Sequence, residues 1–409
     1  MSDLGRTAAN WIGRVTMHGL AATGDLLAKL NRPIADPWPV YEAIRGRGAV
    51  YRSRIGYAVT SHELCRQVLR GSQFGMLDSK GALPGSPERT DVAPSLLDLD
   101  PPDHSRLRRL VAPAFRPKLI AGYRPRIEQV AERLLDDVDH HAPFDLVGDF
   151  ATPLPITVIS ELLGIPEDRR GPFAEYGALV GETLGGLPTG QQRKRLAIAN
   201  AALTALFVEL MDRRRAEPGD DVISVLVNAV DGERMSADEL VATCGLLLVA
   251  GFETTVNLIG NAVFHLLTDR EQWELLRGRP ELAAGAVEET LRFDPPVPVT
   301  GRTCQSATEL AGTPIDRDAI VFAVLAAANR DGTVYADPHT FDITREGAPE
   351  HFAFSSGIHY CLGAQLARIE GEIALQVLTE RMPGLTLAGR PRLRNSSAIR
   401  GYAHLPTAA

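Results

Sequence analysis

Two stretches of this 409-residue chain hold side chains whose types and spacing could do chemistry. Cys361 stands in Phe354-Ser-Ser-Gly357-Ile-His359-Tyr-Cys361-Leu-Gly363, directly ahead of a helical pattern, AQLARIEGEIALQVLTERM. The thiolate is the form of cysteine that binds a metal, and the free N–H groups and positive dipole end of a helix start stabilise it. Gly357 and Gly363 let the backbone turn tightly and approach a flat ligand, and Phe354 could shield the sulfur from water. The second stretch, LLLVAGFETTVNLIGNAVFHLL from 246 to 267, is apolar on most sides, so its polar residues stand out. Ala250 and Gly251 remove bulk just before Glu253, Thr254 and Thr255, leaving room for a small molecule beside an acid and a hydroxyl that can pass protons. Taken singly, each stretch also fits a plain structural role: a core cysteine before a helix, and a helix bent by a back-bonded threonine.

The elements that must hold these residues are mainly helices. Apolar residues recur three or four apart near 125–140, 192–214, 237–268, 270–277 and 281–293. Strand-like alternation appears at 49–60, with Gly56 at a hairpin turn, and at 309–324, with a Gly-Thr-Pro turn. Pro- and Gly-rich stretches at 75–94 and 185–190 are candidate lids. No linker or internal repeat divides the chain, so one domain is expected, with residues 1–34 as an amphipathic extension. Hydrophobic residues make up 44% of the sequence, enough for a large core without a structural metal. The net charge of −8 argues against a general nucleic-acid or anionic-membrane binder. Cys65, Cys244, Cys304 and Cys361 have neither zinc-site nor disulfide-framework spacing, which fits a reducing cytoplasm. The most apolar run, 244–252, is about half the length needed to cross a bilayer, so no membrane span is expected. No Walker loop, dinucleotide fingerprint, HExxH or nucleophile elbow is present.

The cysteine segment resembles the haem-binding loop of the cytochrome P450 family, F-x-x-G-x-H/R-x-C-x-G, with Ser355 where that family more often has glycine. The stretch containing Ala250, Gly251, Glu253, Thr254 and Thr255 is similar to the family's oxygen-binding helix, A/G-G-x-D/E-T-T. Two more segments resemble family motifs in the same order. One is Asp-Pro-Pro-Asp-His104-Ser-Arg-Leu-Arg108; the other is Glu289-Thr-Leu-Arg292 together with the meander that ends in Arg345.

The resemblance implies a mainly α fold with small β-sheets, a triangular helical prism, and one haem b between the long central helix and the cysteine loop. It implies that Cys361 is the metal ligand and that Phe354, Gly357 and Gly363 shape the loop around it. His104, Arg108, Arg302 and His359 would contact the propionates, with Ala250 and Gly251 facing the cofactor. Thr254 would hydrogen-bond dioxygen, with Glu253 relaying protons, while Glu289, Arg292 and Arg345 would form a buried scaffold. The implied activity is a monooxygenase acting on a small hydrophobic substrate, with Val249, Phe252, Val297, Val299, Tyr402 and the regions 75–94, 179–187 and 401–403 around the pocket. Electrons would come from a ferredoxin docking near Arg106, Arg109, Arg116 and Lys118, and the protein would be a cytoplasmic monomer. A peroxide-driven peroxygenase is one alternative, against which Glu253 and Thr254 argue. A haem-binding sensor or carrier is the other.

Overall fold

The structure, a computed structural model, describes residues 19–84, 94–181, 190–227 and 235–409. Most of the two candidate lids (85–93 and 185–189), residues 182–187 of the expected pocket, and the first 18 residues of the extension lie outside the described residues. Eleven helices carry the argument: α1 Trp38–Arg45, α2 His62–Arg70, α3 Asp103–Val111, α4 Arg124–Asp136, α5 Pro153–Leu162, α6 Glu167–Gly181, α7 Gly190–Ala216, α8 Ala237–Thr268, α9 Arg270–Gly278, α10 Ala283–Phe293 and α11 Ala364–Arg381.

Helix α8 runs for 32 residues through the main core. Its start is fixed by a capping box: the Ser236 hydroxyl accepts from the Glu239 N–H, and the Glu239 carboxylate accepts from the Ser236 N–H. Helices α5, α6, α7, α10 and α11 pack around it. By length and composition α8 could cross a membrane, a property missed when only residues 244–252 were counted. Yet 67% of its most apolar window is buried, so that apolar surface is used inside the fold.

Four small sheets flank the helices. The largest has strand order β1 (Val50–Ser53), β2 (Gly56–Val59), β8 (Ile320–Ala323), β5 (Thr300–Cys304), β3 (Phe74–Gly75). The 49–60 alternation is the β1–β2 hairpin, in register Val50↔Val59. Gly56 has φ +144°, and a Cβ there would lie 2.4 Å from the Ile320 carbonyl, so only glycine lets β2 lie against β8. Strand β5 pairs antiparallel with β8, Arg302 opposite Val321, which sets the position of the Arg302 side chain. The other sheets are β4 (Phe144–Asp145), β12 (Pro406–Ala408) and β9 (Thr386–Leu387); the hairpin β6 (Thr308–Leu310) and β7 (Thr313–Ile315); and the hairpin β10 (Arg392–Leu393) and β11 (Tyr402–His404).

The expected extension needs a correction. Leu26 and Leu27 are buried in a core cluster with Tyr41, Ile44 and Ala58, and Ala28 is buried as well, so the fold proper already includes residues before 34. Asp25 ties this segment to the β1–β2 hairpin, accepting from the Ser53 hydroxyl at 2.8 Å and from the Arg54 N–H at 3.0 Å.

Candidate functional site

The loop before α11 turns through two left-handed residues, Ser355 (φ +60°) and Gly357 (φ +70°). Ser355 thus adopts the conformation in which glycine is the easier residue, which accounts for the family's usual choice there. At Gly357 a Cβ would sit 2.6 Å from the Leu69 carbonyl, so glycine is required. The Cys361 N–H donates to the Phe354 carbonyl at 2.9 Å and closes the loop. Three cysteines are buried, whereas Cys361 keeps exposed surface although protein hems it in. It lies three residues before α11, whose N-cap is Gly363. In the polypeptide alone, burial raises the Cys361 thiol pKa despite the Gly363 N–H and the charges of Arg108 and Arg368. Gly363 has no neighbour within 4 Å of a built Cβ and needs no positive φ, so nothing in the protein itself demands glycine there. Phe354 is buried, with the Arg368 guanidinium 4.6 Å from its ring centre.

Beside this loop, four cation-capable residues converge from three elements. His104 and Arg108 lie one turn apart on α3, Arg302 on β5 and His359 in the loop. The His104 and His359 rings are 4.3 Å apart, and both His104 nitrogens and His359 Nε2 are buried without hydrogen-bond partners. Arg108 donates to the Tyr360 carbonyl at 2.7 Å; Arg302 donates to the Gly301 carbonyl and the Thr300 and Ser355 hydroxyls. None of these contacts is with a carboxylate. Burial, then Arg302, His104 and Arg108, pull the His359 pKa down to about 3, and burial lowers that of Arg302 to about 10. Such a cluster suits a ligand bearing carboxylates, which the two propionates of a haem supply, with the accessible sulfur of Cys361 as an axial ligand.

Helix α8 has one open strip. Ala250 is exposed, and Leu246 and Thr254, one turn to either side, are partly exposed, while Val249, Phe252, Glu253 and Thr255 are buried. The Thr254 hydroxyl donates to the Ala250 carbonyl at 2.8 Å, and Thr255 does the same to Gly251 at 3.2 Å. Glu253 points elsewhere and pairs with Arg394 at 3.0 Å. Behind the helix lies Glu370 of α11, fully buried, sharing a hydrogen bond with Thr255. One of its carboxyl oxygens has no partner, and burial pushes its pKa up to about 8.

The scaffold residues meet at Glu289 on α10. Arg292 binds its carboxylate with two hydrogen bonds of 2.7 Å, and Arg345 adds a third at 3.2 Å. Arg292 also donates to the carbonyls of Asn329, Pro338 and Thr340, and Arg345 to those of Ala336, Asp337 and Thr340.

The family model described as Cytochrome P450 matches residues 279–381, which span the Glu289 scaffold and the cysteine loop. Cytochrome P450 107B1 of Saccharopolyspora erythraea is 46% identical over 321 residues, 77% of each chain. The 6-deoxyerythronolide B hydroxylase of the same organism is 41% identical, over 79% of this chain and 80% of that one. Among solved structures, Mycobacterium smegmatis CYP164A2 superposes with a TM-score of 0.85 at 35% identity, covering 94% of this chain and 99% of that one. The chain belongs to the cytochrome P450 family. It is a haem-dependent P450 oxygenase, and its mainly α architecture is that of the P450 fold.

Within this P450, several sequence expectations need correction. Gly251 does not open a pocket: a Cβ there would approach Ile159 Cδ1 of α5 to 3.2 Å, so its smallness serves helix packing. Phe252 is 2% exposed, because it sits about 200° around the helix from Ala250 and Thr254 and points into the core. Val249 is buried in the same core. Leu246, one turn before Ala250, is the strip residue that the sequence reading passed over. Tyr402 stacks at 4.7 Å on Phe264, ten residues and about 15 Å along α8 from Thr254, so it is a core residue. Val297 and Val299 are half-buried, and Val299 lines a cleft described below. Of the expected docking cations, Arg106 is ion-paired with Glu239 at the start of α8, whereas Arg109, Arg116 and Lys118 are exposed.

Proposed function

We propose that this P450 inserts one atom of dioxygen into a C–H or C=C bond of a hydrophobic compound of secondary metabolism, using electrons from a ferredoxin-type partner. The substrate gains one oxygen atom, and the other leaves as water after two electrons and two protons are taken up. The open strip Leu246–Ala250–Thr254 on an otherwise buried helix carries this reading, because it sets a hydroxyl at an accessible surface one residue from a buried acid.

The haem supplies the redox chemistry, the reductive activation of dioxygen and transfer of one oxygen atom. Cys361 is its ligand, and Phe354 with its Arg368 partner keeps water from the outer side of the sulfur. His104, Arg108, Arg302 and His359 hold the two propionates, whose negative charge answers the two guanidiniums and whose oxygens would give the unpartnered imidazoles an acceptor. Gly357 and Gly363 let the loop backbone approach the ring. Thr254 now donates to the Ala250 carbonyl; turning its hydroxyl toward the strip frees a donor there without moving the backbone. When that hydroxyl gives up its proton toward the strip, Glu253, once turned away from Arg394, replaces it. Glu289, Arg292 and Arg345 take no chemical step and hold the segment leading to the cysteine loop.

Leu246, Ala250 and Val297 offer apolar contact and little charge recognition, which suits a hydrophobic substrate. Relatives named for oxidising 6-deoxyerythronolide B and nocardicin C support a secondary metabolite as the substrate. Arg109, Arg116 and Lys118 are exposed cations on an acidic protein, suited to an acidic ferredoxin.

Screening hydrophobic compounds for a shift of the ferric haem to high spin, followed by turnover with NADH and a surrogate ferredoxin system, tests the reading. Oxygenated product with oxygen uptake is expected; haem binding without any oxygenated product would overturn it in favour of a sensor or carrier. Thr254→Ala is expected to keep the haem while at least about tenfold more of the reducing equivalents end as peroxide. Cys361→His is expected to lose the red-shifted ferrous-CO band, and survival of that band would move the ligand elsewhere.

A further inference from the structure

Four buried or half-buried polar residues follow one another at every fourth position of α8: Glu253, Asn257, Asn261 and His265. They form one stripe on an apolar helix, and that face is met by Asp294 and by the β10–β11 hairpin, residues 392–404. Arg394 donates from Nε to Asn257 Oδ1 at 3.0 Å while Nη1 lies 3.0 Å from Glu253 Oε2. Asn257 in turn donates to the Glu253 carbonyl at 2.6 Å. Asn261 donates to the carbonyls of Asp294 and Arg400, and Asp294 binds both His265 and Arg400. The hairpin backbone is pressed onto the stripe, since a Cβ on Gly401 would lie 2.1 Å from Asn257 Oδ1.

The outer side of the hairpin faces a cleft of about 250 Å³, lined by Arg394, Arg400, Ser397, Ile34 and Val299 among others. The Arg394 side chain is 24% exposed, and Glu253 is 6% exposed. One side chain therefore spans the distance from open water to the buried acid. Arginine keeps its proton at any working pH and cannot pass one on. Its chemistry here is to hold the Glu253 carboxylate in place behind the cleft that Arg394 lines. Partial solvation also makes the pair easier to open than a fully buried one.

We propose that Arg394, reaching from the cleft between the 392–404 hairpin and the segment around Ile34 to the buried acid, is the positioning residue for Glu253. The inference rests on the proton-relay role given to Glu253 above.

The test compares Arg394→Gln, Arg394→Lys and Glu253→Gln in the haem-loaded protein. For Arg394→Gln, product formed per NADH is expected to fall about tenfold, with peroxide making up the difference and the spectral Kd for substrate unchanged. Arg394→Lys keeps the charge and is expected to restore at least half of the coupling. Without turnover, the infrared carboxylate band lost in Glu253→Gln is expected to shift in Arg394→Gln and to return toward its original position in Arg394→Lys. An unshifted band with full coupling in Arg394→Gln overturns the proposal. So does a folded Arg394→Lys as uncoupled as Glu253→Gln, a measurement that stands even if the Gln variant does not fold. If Glu253→Gln itself leaves coupling intact, the relay reading fails first.

Discussion

Two buried groups of titratable side chains in this P450 are built in opposite ways. Around Glu289, two arginines, a backbone N–H and several carbonyls use up nearly every donor and acceptor inside the protein. Around His359, two histidines and two arginines meet with no carboxylate in contact among the described residues, and three ring nitrogens have no partner there. A charge group completed by the chain is scaffold; a group left one-sided by the chain is completed by a ligand of the opposite charge. The contrast supports the roles proposed above, fold maintenance for the first group and cofactor holding for the second.

The largest expected effect breaks the first group. Glu289→Gln leaves Arg292, 2% exposed, without its counter-ion, and removing one partner of a buried pair costs about 3–5 kcal/mol. Denaturant unfolding should show the midpoint collapsing, with the protein recovered poorly and low in haem. A change within about 1 kcal/mol would mean that the carbonyls around Arg292 suffice without the carboxylate.

Glu370 sharpens the comparison because it is a buried acid with no cation paired to it among the described residues. Its pKa lies near 8 in the folded protein, against 4.5 when unpaired and solvated. Between those values the unfolded chain releases a proton that the folded one keeps, so stability falls as pH rises. The loss is about 1.4 kcal/mol per pH unit, fully present only above the folded value. Unfolding free energies at pH 6 and pH 8 should differ by about 2–3 kcal/mol more in the native protein than in Glu370→Gln. Equal pH slopes in the two proteins would show that Glu370 is ionised in the fold.

Much of this was legible in the sequence where the signal is local. The apolar period placed α8 at 237–268, the bounds observed, and the F-x-x-G-x-H-x-C-x-G spacing marked the loop that closes on Cys361. The helix expected at 125–140 ends at Asp136, and the one expected at 281–293 begins with a separate tight turn at Pro280–Leu282. What stayed hidden is long-range. The fourfold repeat Glu253, Asn257, Asn261, His265 is visible in the sequence, but its partner Arg394 lies 137 residues after Asn257 and no local rule joins them. Likewise the small Ala250-Gly251 pair read as one pocket wall. Only the neighbouring helix shows that Ala250 faces outward while Gly251 receives Ile159. Tyr402 was misplaced for the same reason, since its stacking on Phe264 depends on where the chain's last hairpin lands.

The smallest effect tests the one-sided group directly. Arg302 is 4% exposed and burial lowers its pKa to about 10 against the charge of Asp100, so in the haem-free chain it is a buried cation whose hydrogen bonds, among the described residues, go to neutral oxygens. Arg302→Leu removes that desolvated charge and should leave the haem-free protein as stable as before or more so, the reverse of Glu289→Gln. With haem bound, the same change would delete the charge-assisted contact to a propionate proposed for Arg302, a loss of about 1.5–3 kcal/mol. Haem transfer to excess apomyoglobin should then be roughly tenfold faster or more, while global unfolding of the haem-free form does not move toward lower denaturant. If Arg302→Leu instead weakened the haem-free fold as much as Glu289→Gln does, Arg302 would be part of the scaffold, and the asymmetry between the two charge groups would disappear.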